Sequence, residues 1–443
     1  MKDKGDTRKV KAIVSHPILR VFVVSIALLI SIAFFVYSLT HRVEGSYPWD
    51  FAINWTAAHA LLQHMPLYDR AAMSQLSQRL VGPEMSLLYK DTFSSYISPP
   101  STALLMVPFT LWPFQQAVFL YRIATLLAFF VGVGLAALAL HPKSRLLGCS
   151  IGMLAFFTFD AVTTSLVLGQ VDAWVVLGLG LGVWATSRER WWLAGIGIGL
   201  AGLLKISPLL LLAYLVLRGR TQPFYAAVLT IITLLGLTAA IGQRNDLSTF
   251  VFTIVPALSA GSLHMQNQSL PGWITRLATP NVDFLNFALD LKPFQLLSPL
   301  VAVVASINLW YLRRRQPLHI LELGILIVVA LLAGPITWSH YISWSIIFLV
   351  LMSDYTLWQA LKTAQKRGLL YLLSGGWLLL SVPLIGFGPG AVSAYGVLRL
   401  VSGIGTLALL LWFVAGCFLL YLTQYRHHKQ SSLGALDSVP EAS

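Results

Sequence analysis

Acidic side chains are scarce in this chain. It has 17 Asp and Glu in 443 residues, and charges of both signs make up 11% of the total, about half the share of an ordinary soluble domain. Cysteine is scarcer still. Cys149 and Cys417 both fall in apolar stretches, which excludes a disulfide framework and a cysteine zinc site. There is no GxxxxGK[ST] phosphate loop and no GxGxxG after a strand. Asp-x-Asp and HExxH are missing as well, so the usual ligand pairs for a metal–nucleotide complex or a catalytic zinc are absent. The scattered carboxylates Glu44, Asp69, Glu84 and Asp91 have no ligand spacing either. No metal and no cofactor are expected.

What the chain does have is hydrocarbon. Apolar residues make up 57%, and several runs can cross the roughly 30 Å core of a bilayer. This composition specifies a polytopic, all-α membrane protein. The formal net charge of +13 is gathered in short clusters at the ends of apolar runs: Lys2 to Arg20, Arg188 and Arg190, Arg218 and Arg220, Arg313 to Arg315, Lys362 to Arg367, and Arg426 with Lys429. That is the positive-inside pattern, not the continuous basic face a nucleic acid requires. The stretch Ile18–Leu39 is too long for a signal-peptide core and has no small-residue cleavage site. It reads as a retained first helix with the N-terminus in the cytoplasm.

A first outer loop is expected over 40–97. It carries two short amphipathic helices on the membrane surface, near 51–62 and 71–80. Apolar segments follow at 101–112, 115–140, 146–167, 170–186, 192–217 and 222–241. A second outer loop at 242–292 precedes spans near 294–312, 318–336, 339–353, 369–386 and 395–423. The total is ten to twelve spans, with the parity between 98 and 146 left open. The segment 192–217 is basic at both ends and holds Lys205 and Pro208 in its middle, so it is expected to be a broken helix or a hairpin with its tip at Lys-Ile-Ser-Pro. Residues 1–425 form one transmembrane domain, and 426–443 are expected to be a disordered cytoplasmic tail.

In so uncharged a chain, Asp50, just beyond the first span, is the first candidate for chemistry. Its alternative reading is an N-cap for the helix that follows. On the outer side there is no supply of ATP or nucleotide sugar, so an enzyme there needs a substrate delivered by the membrane itself, a lipid-linked one. Lys205 is too deep to snorkel and needs an anionic partner: a lipid phosphate, or a carboxylate such as Asp160 or Asp172. His340 is suited to binding phosphate or relaying a proton, or else is a helix-end histidine held by carbonyls. Gln170 can hydrogen-bond a sugar or phosphate oxygen, or can serve as interhelical packing. Asn267 and Ser269, with His264 and Gln266, form a polar cluster in the second outer loop that could close over a sugar.

Several ordered blocks over about 46–345 carry a family resemblance. They are Tyr47-Pro48-Trp49-Asp50-Phe51 with Trp55 and Leu67-Tyr68-Asp69; Ser98-Pro99-Pro100; Leu168-Gly169-Gln170-Val171-Asp172; Ala194-Gly195 through Leu204-Lys205-x-x-Pro208; Asn267-x-Ser269-Leu270; and Trp338-Ser339-His340-Tyr341. Together they resemble glycosyltransferase family 87, polyprenol-phosphate-mannose-dependent α-mannosyltransferases of the GT-C type. The resemblance implies a GT-C fold with outward-facing loops, and Asp50 as the catalytic carboxylate. It implies Lys205, His340 and Gln170 around the donor phosphate, and substrate contacts from Asn54, Tyr68, Asp172, Asn267, Ser269 and Trp338. Asp172 departs from the Asn more usual in its block, which leaves it as an acceptor contact or as the partner of Lys205.

A single base with a cationic phosphate site suffices for inverting transfer from a polyprenyl phosphate, whose leaving group is already an anion. Two carboxylates are the design of hydrolases instead. The reading is therefore a multi-pass enzyme of the inner (cytoplasmic) membrane with its active site facing outward. It would move a hexose, mannose by the resemblance, from a polyprenyl-phosphate donor to a glycan or glycolipid acceptor. Its oligomeric state is open. The alternatives are a secondary transporter or lipid-carrier flippase, which also uses broken helices and intramembrane charge, and an inactive transferase fold serving as a scaffold.

Overall fold

The structure is a computed structural model. It describes residues 25–41 except 27, 34 and 38, then 47–87, 89, 95–279, 296–359, 361–381 and 401–436, with side chains followed to 423 in the last stretch and undefined at 86 and 87. Part of the expected first helix, part of the expected second outer loop (280–292), all of 382–400 and the end of the tail (437–443) lie outside the described residues.

Helices dominate the described chain. In order they are α1 (Leu28–His41), α2 (Trp49–Leu62), α3 (Arg70–Leu80), α4 (Pro100–Met106), α5 (Phe114–Leu138), α6 (Pro142–Thr158), α7 (Asp160–Leu168), α8 (Asp172–Ser187), α9 (Trp191–Leu204), α10 (Leu210–Leu217) and α11 (Gln222–Ile241). Then come α12 (Leu270–Ala278), α13 (Leu297–Arg313), α14 (Ile320–Ala333), α15 (Ile346–Met352), α16 (Thr363–Leu380) and α17 (Ile404–Leu436). Among the described residues α5, α11 and the 404–423 part of α17 are each long and apolar enough to cross a membrane. The pair α6 and α7, bent by 64° at Phe159, qualifies together. Most of the expected ten to twelve crossings are thus short or broken helices.

Helix ends gather on two opposite sides. On the basic side, the Arg188 guanidinium donates to Leu138 O at 3.5 Å, and Ser144 Oγ donates to Asp354 Oδ1 at 3.4 Å. Arg218 donates to Arg313 O at 2.6 Å and to Gln316 O at 2.7 Å. The Arg220 guanidinium lies 4.6 Å from the centre of the Trp191 ring. That last contact settles the shape of 191–217. Both of its ends are on one side, so α9 and α10 form a hairpin. Its tip is at Lys205, which takes an extended backbone (φ −146°, ψ 127°) ahead of a 3₁₀ turn over Ser207–Leu209.

The parity left open between 98 and 146 is also resolved. The apolar piece 101–112 does not cross. It is α4 followed by a 3₁₀ turn (Val107–Leu111), held on the loop side by Trp55 Nε1 donating to Phe109 O at 3.0 Å. The crossing is made by α5.

The first outer loop folds differently from the expectation at one point. α2 has Phe51 through Ala58, Ala60 and Leu61 buried, so it is enclosed on all faces and does not lie on a membrane surface. Trp55 and Phe51 pack on Phe114 of α5, while α4 and the 3₁₀ turn cover its other faces. Apolar residues occupy most of its faces, as in a core helix. α3 does have one buried stripe, Met73, Leu76 and Ser77, and is capped by Asp69, whose carboxylate accepts from Ala71 N at 2.9 Å and Ala72 N at 3.1 Å. The two long loops are joined: Leu67 N donates to Asp246 Oδ1 at 3.0 Å, and the Gln243 amide donates to His64 O. At the other end of the chain α17 continues to Leu436, into the stretch expected to be a disordered tail from 426. Its Gln, Arg, His and Lys residues propagate a helix that the span has already nucleated.

Candidate active site

Four separate turns meet on the loop side. The first is the N-terminus of α2. Pro48 is its N-cap position and makes no side-chain cap, so Asp50 stands inside the first turn and does not cap the helix. The second is the α7–α8 turn. Gly169 ends α7 in the left-handed conformation (φ 72°), which glycine adopts at no steric cost. A Cβ there would lie 2.4 Å from Phe51 Cβ. The missing side chain therefore lets the Gly169-Gln170 backbone press against α2 beside Asp50. The third is the α9–α10 tip with Lys205. The fourth is a 3₁₀ helix, Ser339–Ser345, which follows the break after α14.

Asp50 is half-buried and accepts a hydrogen bond from the Gln170 side chain. Burial pushes its carboxyl above the usual carboxylate range. His340 and Lys205, both within electrostatic reach, oppose that shift, while Asp172 adds to it. The backbone of Gln170 is fixed by Tyr121 Oη, which donates to its carbonyl at 2.9 Å.

Asp172 opens α8 and is almost fully buried. Its Oδ2 lies 2.7 Å from His340 Nδ1 and accepts from Ser165 Oγ at 3.2 Å. Its Oδ1 accepts from Trp344 Nε1 at 2.9 Å. His340 is thus held by a carboxylate and not by helix-end carbonyls. Lys205 pairs directly with neither Asp160 nor Asp172. Its Nζ donates to Tyr341 Oη at 2.7 Å and sits 4.3 Å from the centre of that ring. Tyr341 is itself stacked on Trp344 at 5.0 Å. A cavity of about 150 Å³ opens onto this group, and Lys205, Ser207, Phe250, Trp338 and Tyr341 are among its walls.

Other expected contacts fall elsewhere. Asn267 is fully buried and its amide is saturated. Nδ2 donates to Ser262 O at 2.8 Å and to Pro335 O at 3.1 Å, and Oδ1 accepts from Ser269 N at 3.1 Å and Thr337 N at 2.8 Å. With four partners an Asn has no capacity left. Ser269 is likewise fully buried and caps α12 by accepting from Gly272 N at 3.1 Å. These two residues staple the loop before α12 to the segment of Trp338, with which Asn267 forms an isolated bridge, and they are not among the residues lining the cavity. Tyr68 donates to Ser98 O at 2.8 Å and so anchors the Ser98-Pro99-Pro100 turn. Asn54 is buried one turn after Asp50. Among the described residues no group of three His, Cys, Asp or Glu could hold a metal ion.

Sequence reasoning missed Tyr341, Trp344, Ser165 and Tyr121. Tyr341 lay inside a block already singled out. Trp344 follows it by three residues, the repeat that stacks side chains in a 3₁₀ helix.

Among curated proteins, a polyprenol-phosphate-mannose-dependent alpha-(1-2)-phosphatidylinositol pentamannoside mannosyltransferase of Mycobacterium tuberculosis is 25% identical over 297 residues, covering 64% of this chain and 62% of that protein. Its counterpart from Mycolicibacterium smegmatis is 24% identical over 289 residues, covering 64% and 65%. A polyprenol-phosphate-mannose-dependent alpha-(1-2)-phosphatidylinositol mannoside mannosyltransferase of M. tuberculosis is 25% identical over 322 residues, covering 68% and 70%. The chain thus spans a little under two thirds of the first two relatives. Among solved structures, ArnT from Cupriavidus metallidurans bound to undecaprenyl phosphate aligns with 89% of this chain and 76% of its own, at 13% identity and a TM-score of 0.41. The profile of glycosyltransferase family 87 matches residues 96–335, more than half of the chain, and the protein therefore belongs to glycosyltransferase family 87.

Proposed function

We propose that this protein is a membrane glycosyltransferase that moves a hexose, mannose by analogy with its relatives, from a polyprenyl-phosphate donor to a glycan or glycolipid acceptor. The reaction occurs on the side of the membrane opposite the basic loops, which the positive-inside rule makes the outer side of the cytoplasmic membrane. The observation that carries this reading is the convergence of Asp50, Gln170, Lys205 and His340 from four distant parts of the chain, the last three within electrostatic or hydrogen-bonding reach of Asp50, with Lys205 opening onto a small cavity.

In this reading Asp50 takes the proton from the acceptor hydroxyl. The oxygen then attacks the anomeric carbon from the face opposite the phosphate, with inversion. A carboxyl held above its usual range is a stronger base than a solvated one, and its ideal position lies near the working pH. Lys205 offers the departing phosphate a cation whose direction is set by Tyr341. His340, oriented through Nδ1 by Asp172, presents its other ring nitrogen as a second phosphate donor. Gln170 holds the Asp50 carboxylate in place. Trp338, on the cavity wall, faces the sugar. The polyprenyl chain leaves this site into the bilayer, and the walls of the cavity near Ile206 and Leu258 suit an apolar tail.

The test is an assay of purified protein with polyprenyl-phosphate-mannose and a lipid-glycan extract. Glycan extension that Asp50→Asn abolishes supports the reading. Full turnover in that variant removes Asp50 from the chemistry. Movement of the donor across liposomes without extension replaces the transferase with a transporter.

A further inference from the structure

A second cavity, about 870 Å³, opens on the basic side of the molecule, and none of Asp50, Gln170, Asp172, Lys205 or His340 lines it. One wall is a single stripe of α16: Lys366, Leu370, Leu373, Ser374, Trp377 and Leu378, spaced so that they share one helix face. The opposite wall is Leu147 and Ile151 of α6, and the floor is Leu349 and Met352 of α15. The groove faces outward, since Leu147, Leu370 and Leu378 are each more than half exposed. From Lys366 to Leu378 it runs along twelve residues of helix, roughly 18 Å at 1.5 Å per residue. One leaflet of a 30 Å hydrocarbon core is about 15 Å deep, so the groove is as long as one leaflet.

Its two ends differ in chemistry. Toward Trp377, which packs on Phe159 at 5.0 Å, it is walled by hydrocarbon and aromatic surface. At the mouth stand Lys366 and Tyr355, with Lys143 Nζ 5.8 Å from the centre of the Tyr355 ring. Lys362 and Arg367 are exposed nearby on the same helix end. Asp354, the carboxylate beside the mouth, does not neutralise them. It is buried and bonded to Ser144, to Thr356 N at 3.0 Å and to Thr356 Oγ1 at 2.8 Å. Among the described residues no carboxylate pairs with these amines, and a leaflet-long apolar slot capped by them complements one kind of molecule.

We infer that the groove between α6 and α16 binds an anionic glycerophospholipid of the leaflet on the basic side, with an acyl chain along the α16 stripe and the phosphate on Lys366 and Lys143. Juxtamembrane amines attract an anionic headgroup, while the acyl chain only exchanges one apolar surrounding for another. A zwitterionic lipid would therefore gain nothing here that it lacks elsewhere on the lipid-facing surface. The polyprenyl donor is not the occupant, because Lys205 and its cavity are on the other side of the membrane.

Native mass spectrometry of the detergent-purified full chain, supplemented with phosphatidylglycerol or phosphatidylcholine of the same acyl chains, tests this. The expected result is one retained phosphatidylglycerol per protein, with little phosphatidylcholine. Lys143→Glu combined with Lys366→Glu should lower retention at least tenfold, and Leu373→Trp should lower it by filling the slot with the amines intact. Equal retention of both lipids, retention unaffected by the double charge reversal, or displacement by an equal amount of polyprenyl phosphate would each overturn the proposal. Lys366→Gln serves in place of the double variant if that does not yield monodisperse protein, with retention again expected to fall. Sugar transfer is not the readout, so failure here leaves the transferase reading intact.

Discussion

Two buried clusters of charge can be set side by side in this molecule. On the basic side Glu322, with no exposed surface, is surrounded by donors. Arg313 Nε lies 3.1 Å from Oε1 and Arg218 Nε 3.2 Å from Oε2. Tyr214 Oη donates to Oε2 at 2.5 Å, and His319 N to Oε1 at 2.9 Å. On the loop side Lys205 has, among the described residues, Tyr341 as its hydrogen-bond partner and opens onto a cavity. Asp50 is half-buried beside it. The Glu322 cluster is enclosed, its carboxylate met by two guanidiniums, a tyrosine hydroxyl and a backbone amide, and it ties the foot of the α9–α10 hairpin to α13 and α14. The Lys205 cluster holds an amine within electrostatic reach of Asp50 with no direct ion pair to it among the described residues. A buried ion enclosed by opposite charges is costly to unpair, whereas one left with spare capacity beside a cavity is placed to meet a ligand.

The comparison can be broken by substitution. The largest expected effect is Asp50→Asn, which keeps shape and hydrogen bonding but removes the base. It should cut kcat by about 10²–10⁴-fold with the melting temperature nearly unchanged, as read by mannose transfer and a thermal scan. Glu322→Ala should do the opposite. Leaving two guanidiniums uncompensated costs about 3–5 kcal/mol, so denaturation should come earlier while any folded fraction keeps its rate per molecule. If Glu322→Ala instead abolishes turnover in stable protein, the division between the two clusters fails.

Lys205→Met should lower kcat by about 10²–10³-fold and should also move the pH profile. Lys205 lowers the proton affinity of the Asp50 carboxyl, so its removal raises that affinity further. The acid limb of the rate profile should then shift to higher pH; a shift to lower pH would show that Asp50 is not the titrating base. The smallest effect is expected for Tyr341→Phe, which leaves the ring and its stack on Trp344 but frees the Lys205 ammonium. About a tenfold loss is expected, corresponding to the 1–1.5 kcal/mol of one hydrogen bond, and it should fall on kcat more than on KM.

Much of the architecture was legible because it rests on local quantities. Hydrocarbon runs, basic clusters and the Lys-Ile-Ser-Pro break are each contained in a few consecutive residues, and they pointed to helices and to a break at Lys205, while the choice between a broken helix and a hairpin needed the contact of Arg220 with Trp191. The enclosure of α2 was not legible. Trp55, Ala58 and Leu62 mark one apolar face, but whether the other faces are wet depends on α4 and α5 folding over them. The site divided in the same way. Asp50, Gln170, Lys205 and His340 stood out as polar groups in apolar surroundings, while Asn267 and Ser269 stood out equally and proved to be committed to backbone partners.

By itself, then, the sequence determined a polytopic helical membrane protein with its charge sorted by side and its few chemically capable residues marked by contrast. Periodicity, hydropathy and glycine or proline breaks act within a turn or two of helix, which is why one chain suffices to read them. Only the tertiary structure decided that Asp172 holds His340 and that Tyr341, not a carboxylate, holds Lys205. It likewise decided that Gly169 brings Gln170 against the first turn of α2. Hydrogen bonding and burial are properties of pairs, and these pairs are separated by more than a hundred residues of chain.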